Sequence, residues 1–172
     1  RSITRKDVTV TANNKTKTYG DADPEFDATV NGTIGNDTVK YSLSREDGET
    51  VGKYTITASG EEEQGNYKVS YATGTLTISE AGTLSATATG YSGVYDGKDH
   101  EGQVSVSDTN GTKIEYSING GTTWSEEAPS IKNVGMVQVD VKATNTNYSK
   151  PAMTSYDLIV TPATLTVKTA DA

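Results

Sequence analysis

The sequence contains no cysteine and only one histidine, His100. The absence of cysteine excludes disulfides, thiolate nucleophiles and zinc-thiolate sites. A histidine-based triad or metal site would have to centre on His100, which lies beside Asp99 and Glu101 in a stretch typical of a surface loop. Since no nucleophile, base and orienting group can be assembled, the sequence predicts a protein that is not an enzyme, with no catalytic residues, cofactor or metal.

Long apolar runs and clustered positive charge are also missing. Only 33% of the residues are hydrophobic, and no segment reads as a membrane span or a signal peptide. The 15 Lys and Arg residues against 23 Asp and Glu residues give a net charge of -8, which disfavours a phosphate-binding surface. We therefore expect no nucleic-acid partner and no membrane insertion in this fragment, which we expect to be part of a longer secreted protein.

The abundant features are those of short strands. The chain has 17 Gly, 4 Pro and frequent Thr, and polar and apolar residues alternate in segments such as 54–58 and 137–143. Alternation with period two places apolar side chains on one face of a strand. The sequence therefore predicts an all-β fold.

A repeat divides the chain. Residues 7–12 (DVTVTA) are echoed by residues 83–88 (TLSATA) and again by residues 164–169 (TLTVKT). The Tyr-containing and Gly-containing landmarks between these echoes keep the same order in both copies. A fixed period of this length indicates an array of modules. We therefore predict domains at residues 1–80 and 81–161, followed by residues 162–172 as the first strand of a truncated third repeat.

Each repeat has the strand content of a sandwich. In the first, alternation predicts about seven strands, at residues 8–12, 18–19, 26–30, 39–43, 54–58, 67–71 and 76–78. Seven short strands in fewer than a hundred residues predict an immunoglobulin-like antiparallel β-sandwich. Only residues 79–83 separate the two repeats, too few for a flexible tether, so we expect neighbouring repeats of the same chain to be partners.

The first repeat resembles a known family. Residues 17–24 (KTYGDADP), 51–56 (VGKYTI), 65–67 (GNY) and 74–78 (GTLTI) are similar to the MBG repeat, the mostly-β, glycine-rich module of bacterial surface proteins and adhesins, and the resemblance covers residues 6–80. The second repeat has residues 96–99 (DGKD) in place of the GDADP stretch and resembles a diverged relative. The resemblance implies a stalk or adhesin repeat, with no catalytic residues to transfer.

Two acidic stretches and one hairpin are candidate sites. Residues 21–25 (DADPE) and 61–63 (EEE) offer carboxylates to a cation such as Ca²⁺, although we favour solvated turns. Residues 117–124 (SINGGTTW) resemble the Asp-box hairpin with Asn119 where Asp is usual, a structural turn. The only tryptophan, Trp124, is expected to anchor this hairpin or the core, and the alternative is a platform for a sugar. A Lys to Asn isopeptide cross-link is not expected, since residues 84–90 lack Lys and residues 74–80 lack Asn.

The expected function is structural. The composition and the resemblance favour stalk or spacer repeats at the surface of a Gram-positive bacterium, outside the cell and attached to its wall. One alternative is an adhesive module that binds a glycan or a host protein through its loops. Another is a noncatalytic accessory domain of a secreted polysaccharide-degrading enzyme, which a hydrolase domain elsewhere in the parent chain would favour.

Overall fold

The computed structural model describes residues 2–169. These residues form 18 β-strands and no helix, and none of them lies in a helix that could cross a membrane. The chain divides into two compact units, Arg1–Ala81 and Gly82–Ala172, which we call module 1 and module 2. The fold is all-β, as predicted. Residues 170–172, which belong to the predicted third repeat, lie outside the described residues.

Module 1 is a sandwich of two four-stranded sheets. Its strands are β1 (Lys6–Ala12), β2 (Lys15–Thr18), β3 (Ala28–Asn31), β4 (Ser42–Arg45), β5 (Gly52–Ser59), β6 (Glu63–Gln64), β7 (Tyr67–Ala72) and β8 (Gly74–Ser79). One sheet has the order β3-β1-β7-β6 and the other has the order β2-β8-β5-β4. The predicted immunoglobulin-like sandwich is therefore present.

Alternating apolar residues from both sheets form the core of module 1. Val8 and Val10 of β1 pack in the same cluster as Ile56 of β5 and Leu76 of β8, and each of these side chains is at most 1% exposed. Burial of one such side chain stabilises the fold by about 1.5–3 kcal/mol. This cluster is what holds the two sheets together.

The first two strands of module 1 run parallel to its last two strands. β1 pairs with β7 and β2 pairs with β8, and every partner lies 61 residues further along the chain. The chain therefore passes from one sheet to the other twice, between β1 and β2 and between β7 and β8, and the two crossings lie side by side. The crossing leaves no room for a side chain at Gly74, where a Cβ atom would lie 2.4 Å from the carbonyl oxygen of Ala12. The other strand pairs in this module are antiparallel.

Module 2 repeats one sheet of module 1 strand for strand. Its strands, the first of which begins at the last residue of module 1, are β9 (Ala81–Thr83), β10 (Ala86–Thr89), β11 (Tyr91–Val94), β12 (His100–Glu101), β13 (Gln103–Val106), β14 (Lys113–Ser117), β15 (Ser130–Ile131), β16 (Gly135–Thr144), β17 (Tyr148–Lys150) and β18 (Ala152–Thr161). The order β11-β18-β16-β14 corresponds to β2-β8-β5-β4, and β11 is parallel to β18. The second layer consists of the pairs β10-β13, β9-β17 and β12-β15.

Equivalent backbone contacts show that the two modules share one register. The amide of Tyr19 donates to the carbonyl of Ser79 at 2.8 Å in module 1, and the amide of Tyr95 donates to the carbonyl of Thr161 at 2.8 Å in module 2. The strands β5 and β16 both begin at a glycine that pairs near the end of the last strand. The core of module 2 then follows the same alternation, with Val139 and Val141 fully buried.

Three segments differ from the predicted strands. Residues 39–41 are not a strand, because the side-chain amide of Gln64 bonds both the N–H and the C=O of Lys40 in place of a neighbouring strand. Residues 83–88, the second copy of the repeated first strand, do not form one continuous strand. The strand is interrupted between β9 and β10 at Leu84, whose side chain is buried with Ala143 and Ala152. Residues 162–169 form no strand and are exposed, so the third repeat stays a prediction.

Candidate functional site

Four charged side chains form a closed network on module 1. Lys17 Nζ lies 2.7 Å from Asp23 Oδ1 and 2.6 Å from Glu49 Oε2. Arg45 Nε lies 2.8 Å from Asp23 Oδ2, and Arg45 Nη2 lies 2.6 Å from Glu49 Oε1. Lys17 belongs to β2 and Arg45 to β4, which are the two edge strands of one sheet. The network therefore links both edges of this sheet.

The two cations of this network are more buried than those of ordinary surface ion pairs. The side chains of Lys17 and Arg45 are only 4% and 11% exposed. Hydrogen bonds from Arg45, and then from Lys17, lower the pKa of Asp23 to about 2. Hydrogen bonds to Asp23 and Glu49 raise the pKa of Lys17. Two cations balance two carboxylates, so the buried charges compensate one another.

The network occupies the first candidate cation site. Both oxygens of Asp23 already accept hydrogen bonds from Lys17 and Arg45. At the second candidate, Glu62 and Glu63 form exposed ion pairs with Lys68 and Arg5. Among the described residues, no three His, Cys, Asp or Glu side chains are grouped to hold a metal.

The contact between Lys17 and Asp23 is poorly suited to amide formation. Condensation would require a neutral amine to attack a protonated carboxyl group, with loss of water. The raised pKa of Lys17 and the lowered pKa of Asp23 favour the opposite protonation states. We therefore describe the pair as an ion pair.

The Asp-box-like hairpin of module 2 is held by Asn119. Its Oδ1 accepts from Ser117 Oγ at 2.8 Å and from the amide of Thr123 at 3.0 Å, and its Nδ2 donates to Thr123 Oγ1 at 2.7 Å. Gly120 and Gly121 have φ of 70° and 88°, the positive values that the Asn-Gly-Gly sequence predicts. Asn119 therefore replaces the usual Asp without loss of the turn.

Trp124 packs on the outer surface of a sheet. Its ring is half-buried, and the ammonium group of Lys142 lies 4.4 Å from the ring centroid. This distance is suitable for a cation–π interaction. Trp124 thus fastens the hairpin to β16. A shallow groove of about 380 Å³ beside it is lined by Tyr116, Ile118, Glu127 and Pro129, among others.

His100 differs from the expected loop residue. It lies in β12, and its ring stacks on Tyr91 with centroids 3.9 Å apart. Its Nε2 lies 2.9 Å from Asp96 Oδ1. His100 therefore helps to hold the turn that follows β11, a role that the polar sequence around it did not reveal.

Two tyrosines at matching positions of the repeat, Tyr67 and Tyr148, have the same structural role in the two modules. The hydroxyl of Tyr67 bonds to Asp37 in module 1, and the hydroxyl of Tyr148 lies 3.1 Å from Asp108 in module 2. In each module a tyrosine ring packs against the core while its hydroxyl reaches a loop carboxylate. The recurrence links these tyrosines to folding and stability.

Comparison with known families identifies module 1. Residues 8–77 match the model of the MBG domain (YGX type), which covers less than half of the chain. Module 1 is an MBG domain. The Tyr-Gly-X stretch of this MBG domain is Tyr19, Gly20 and Asp21, which lies between Lys17 and Asp23 of the network. MBG domains are typical of bacterial surface proteins.

Comparisons of whole chains add resemblances in fold. No curated protein matches the sequence. The chain is similar to immunoglobulin domains 1–4 of Sidekick-1, with 10% identity and a TM-score of 0.40 over 94% of this chain and 50% of that chain. It is also similar to fibronectin(III)-like modules of Clostridium thermocellum CbhA, with 13% identity and a TM-score of 0.36 over 96% of this chain and 100% of that chain. The chain thus spans half the length of the Sidekick-1 fragment.

Proposed function

We propose that the two modules are load-bearing spacer repeats of an extracellular bacterial surface protein, and that they do not catalyse a reaction. The observation that carries this proposal is the parallel pairing of β1 with β7 and of β2 with β8 in module 1, at a constant offset of 61 residues. The same parallel pairing of β11 with β18 in module 2 supports it.

Parallel end strands determine where the chain enters and leaves a module. The chain enters module 1 at the start of β1 and leaves it at the end of β8, at opposite ends of two parallel strands. About 13 residues separate the start of β1 from the end of β2, which corresponds to about 43 Å at 3.3 Å per residue. Module 1 therefore separates the points where the chain enters and leaves it by about the combined length of β1 and β2.

This geometry also determines how a module resists tension. A force on the two ends of module 1 acts along the strands, so that the six pairs between β1 and β7 and the four pairs between β2 and β8 are loaded together. If the force acted across the strands instead, the pairs would open one after another. Shear of many hydrogen bonds at once requires a larger force than sequential opening.

The family and the composition support a location outside the cell. MBG domains occur in bacterial surface proteins, and the lack of cysteine together with the acidic, Thr-rich composition suits secretion by a Gram-positive bacterium. A spacer would hold a more distal binding domain away from the cell wall.

Single-molecule pulling with two attachment geometries tests the proposal. Because the chain has no native cysteine, handles can be attached at introduced cysteines alone. Thr4→Cys with Glu80→Cys loads the parallel strands in shear, and Thr4→Cys with Lys68→Cys pulls on the same ends of β1 and β7. We expect a clearly higher unfolding force for the first pair. Equal forces for the two pairs would contradict a load-bearing design.

A further inference from the structure

Three asparagines of the chain are followed directly by glycine: Asn31, Asn110 and Asn119. Asparagine is a chemically labile residue, because the backbone nitrogen of the next residue can attack its side-chain carbonyl carbon. Glycine in the next position favours this attack, since it has no side chain to hinder the nitrogen and its backbone is the least restricted. The three sites differ in how firmly the structure holds them.

The attack requires a rotation about the bond between the Cα atom and the carbonyl carbon of the asparagine, so that the glycine nitrogen faces the side chain. This rotation moves the backbone carbonyl group, and the side-chain amide must also be free to turn. Hydrogen bonds that hold either group therefore slow the reaction, because they must be broken first. The least restrained of the three asparagines should react first.

Asn31 is held by its backbone. It pairs with Thr9 in the sheet, and the carbonyl oxygen of Gly32 accepts a hydrogen bond from Lys6 Nζ at 2.6 Å. Gly32 also lies directly against β1, since a Cβ atom at this glycine would be 2.5 Å from the carbonyl oxygen of Asp7. Rotation at Asn31 would therefore disrupt the pairing of β3 with β1.

Asn119 is held by its side chain. Its Oδ1 and Nδ2 make the hydrogen bonds to Ser117 and Thr123 that fasten the hairpin. Its backbone carbonyl accepts a further hydrogen bond from Thr122 Oγ1 at 3.1 Å. These bonds oppose the rotation that would bring the nitrogen of Gly120 to the side-chain carbonyl carbon.

Asn110 is the least restrained of the three. It is exposed, and its side-chain amide makes no hydrogen bond to any residue that the structure describes. Its backbone carbonyl accepts from Asn145 Nδ2 at 2.8 Å, but this nitrogen also donates to Thr112 Oγ1 at 2.9 Å and keeps that partner if the carbonyl moves. Gly111 has φ of 78°, and a Cβ atom there would be 3.8 Å from Asn145 Nδ2, so its surroundings are open.

We propose that Asn110 is a site of spontaneous deamidation, where module 2 acquires aspartate or isoaspartate as the protein ages. The nitrogen of Gly111 loses its proton and attacks Cγ of Asn110. The bond between Cγ and Nδ2 then breaks, and Nδ2 takes up a proton and leaves as ammonia. The product is a five-membered succinimide ring.

Water then opens the ring in one of two ways, without an oxidant or a reductant. Cleavage of the bond between the nitrogen and Cγ gives aspartate. Cleavage of the bond between the nitrogen and the former backbone carbonyl carbon gives isoaspartate, in which the main chain runs through Cβ and Cγ. This chemistry is independent of the spacer function proposed above.

The equivalent loop of module 1 lacks the reactive dipeptide. The loop carboxylate bound by a tyrosine is Asp37 in module 1 and Asp108 in module 2. Near Asp37 the order of the two residues is reversed, as Gly35 followed by Asn36. The residue after this asparagine is therefore aspartate, whose side chain hinders the attack. The modification thus distinguishes module 2 from module 1.

Isoaspartate at position 110 would alter a contact of the residue that follows β16. The carbonyl group that accepts from Asn145 becomes part of a free carboxylate on a longer main chain. Asn145 is only 8% exposed, so a weakened hydrogen bond there is not readily replaced by water. Both products also place a new negative charge two residues from Asp108. We therefore expect module 2 to lose stability as Asn110 reacts.

Peptide mapping of the aged, folded chain tests the proposal. Cleavage after lysine places the three asparagines in separate peptides, residues 18–40, 99–113 and 114–132. During incubation at mildly alkaline pH, which favours loss of the amide proton, the peptide of Asn110 should gain mass and split into two products. This change should be several times faster than the change at either of the other two sites. In urea, where the restraints are absent, the three sites should react at comparable rates.

Two mapping results would overturn the proposal. One is equal or faster conversion of Asn31 or Asn119 in the folded chain, with fragment ions separating Asn31 from Asn36. The other is an unchanged peptide of residues 99–113 in the folded chain after the urea sample has reacted.

A second measurement follows the stability of module 2. The urea midpoint of Trp124 fluorescence should fall as the wild type ages, and it should stay constant in Asn110→Ser, which cannot lose ammonia at this position. An equal fall in the aged variant would show that the loss of stability arises elsewhere and would contradict the proposed effect.

Discussion

The ammonium nitrogen of Lys17 lies 2.7 Å from the carboxylate of Asp23, which belongs to the turn that follows the strand of Lys17. The same nitrogen makes a second contact with this turn, because it donates a hydrogen bond to the carbonyl oxygen of Asp21 at 3.0 Å. The Tyr-Gly-X turn is therefore fastened back onto β2. Through Asp23 it is also fastened to Arg45 on the opposite edge of the sheet.

Removal of Asp23 should destabilise module 1. Asp23→Ala leaves Lys17 and Arg45 largely buried with only Glu49 as an acidic partner in the network, and we expect a loss of about 2 kcal/mol in the free energy of unfolding. Urea unfolding followed by circular dichroism measures this loss. Asp21→Ala, in the same turn but outside the ion pairs, is the matched control. Equal losses in the two variants would contradict a role for the charge network.

Acid should weaken the network in a defined range of pH. The pKa of Asp23 is about 2 in the folded state, below its ordinary value of 3.8. A lowered folded pKa stabilises the fold above the unfolded pKa, and this contribution is lost as the pH falls from about 4 to about 2. Unfolding free energies measured across this range should fall more steeply for the wild type than for Asp23→Asn. Parallel pH profiles would show that Asp23 is not responsible.

The two modules should unfold as separate units. Val10 is fully buried in module 1, whereas Trp124 lies in module 2 and is the only tryptophan. Val10→Ala should lower the stability of module 1 by about 2 kcal/mol, because it leaves a cavity in the core. The tryptophan fluorescence transition should stay in place while part of the circular dichroism transition moves to lower urea. A joint shift of both signals would indicate a single cooperative unit.

Asn119 should tolerate Asp but not Ala. Aspartate can still accept hydrogen bonds from Ser117 and Thr123, and the hydroxyl of Thr123 can turn to donate. We expect Asn119→Asp to change stability by less than about 0.5 kcal/mol and Asn119→Ala to cost about 1 kcal/mol. Trp124 fluorescence during urea unfolding measures both. A larger cost for Asp than for Ala would show that the amide itself is required.

The repeat and the sandwich could be predicted because period-two alternation reports which face of a strand is buried. It correctly predicted the strand at residues 8–12, in which Val8 and Val10 are buried. Alternation does not report which strands are neighbours, so the parallel pairing of β1 with β7 could not be predicted.

The charge network could have been found in part. Lys17 stands on the inward face of β2, and a lysine at an inward position indicates buried carboxylates nearby. The acidic turn of residues 21–25, taken by itself, indicates only a cation site or a solvated turn. Arg45 lies 22 residues beyond Asp23, and nothing in the local sequence links the two.

The constant offset of 61 residues also determines the order in which module 1 can be completed. Lys6 pairs with Tyr67 and Thr18 pairs with Ser79, so the first strands are synthesised long before their partners. Closing such long loops is entropically costly, and folds dominated by these contacts form slowly. A partly synthesised module 1 would therefore remain unfolded until its last strand appears.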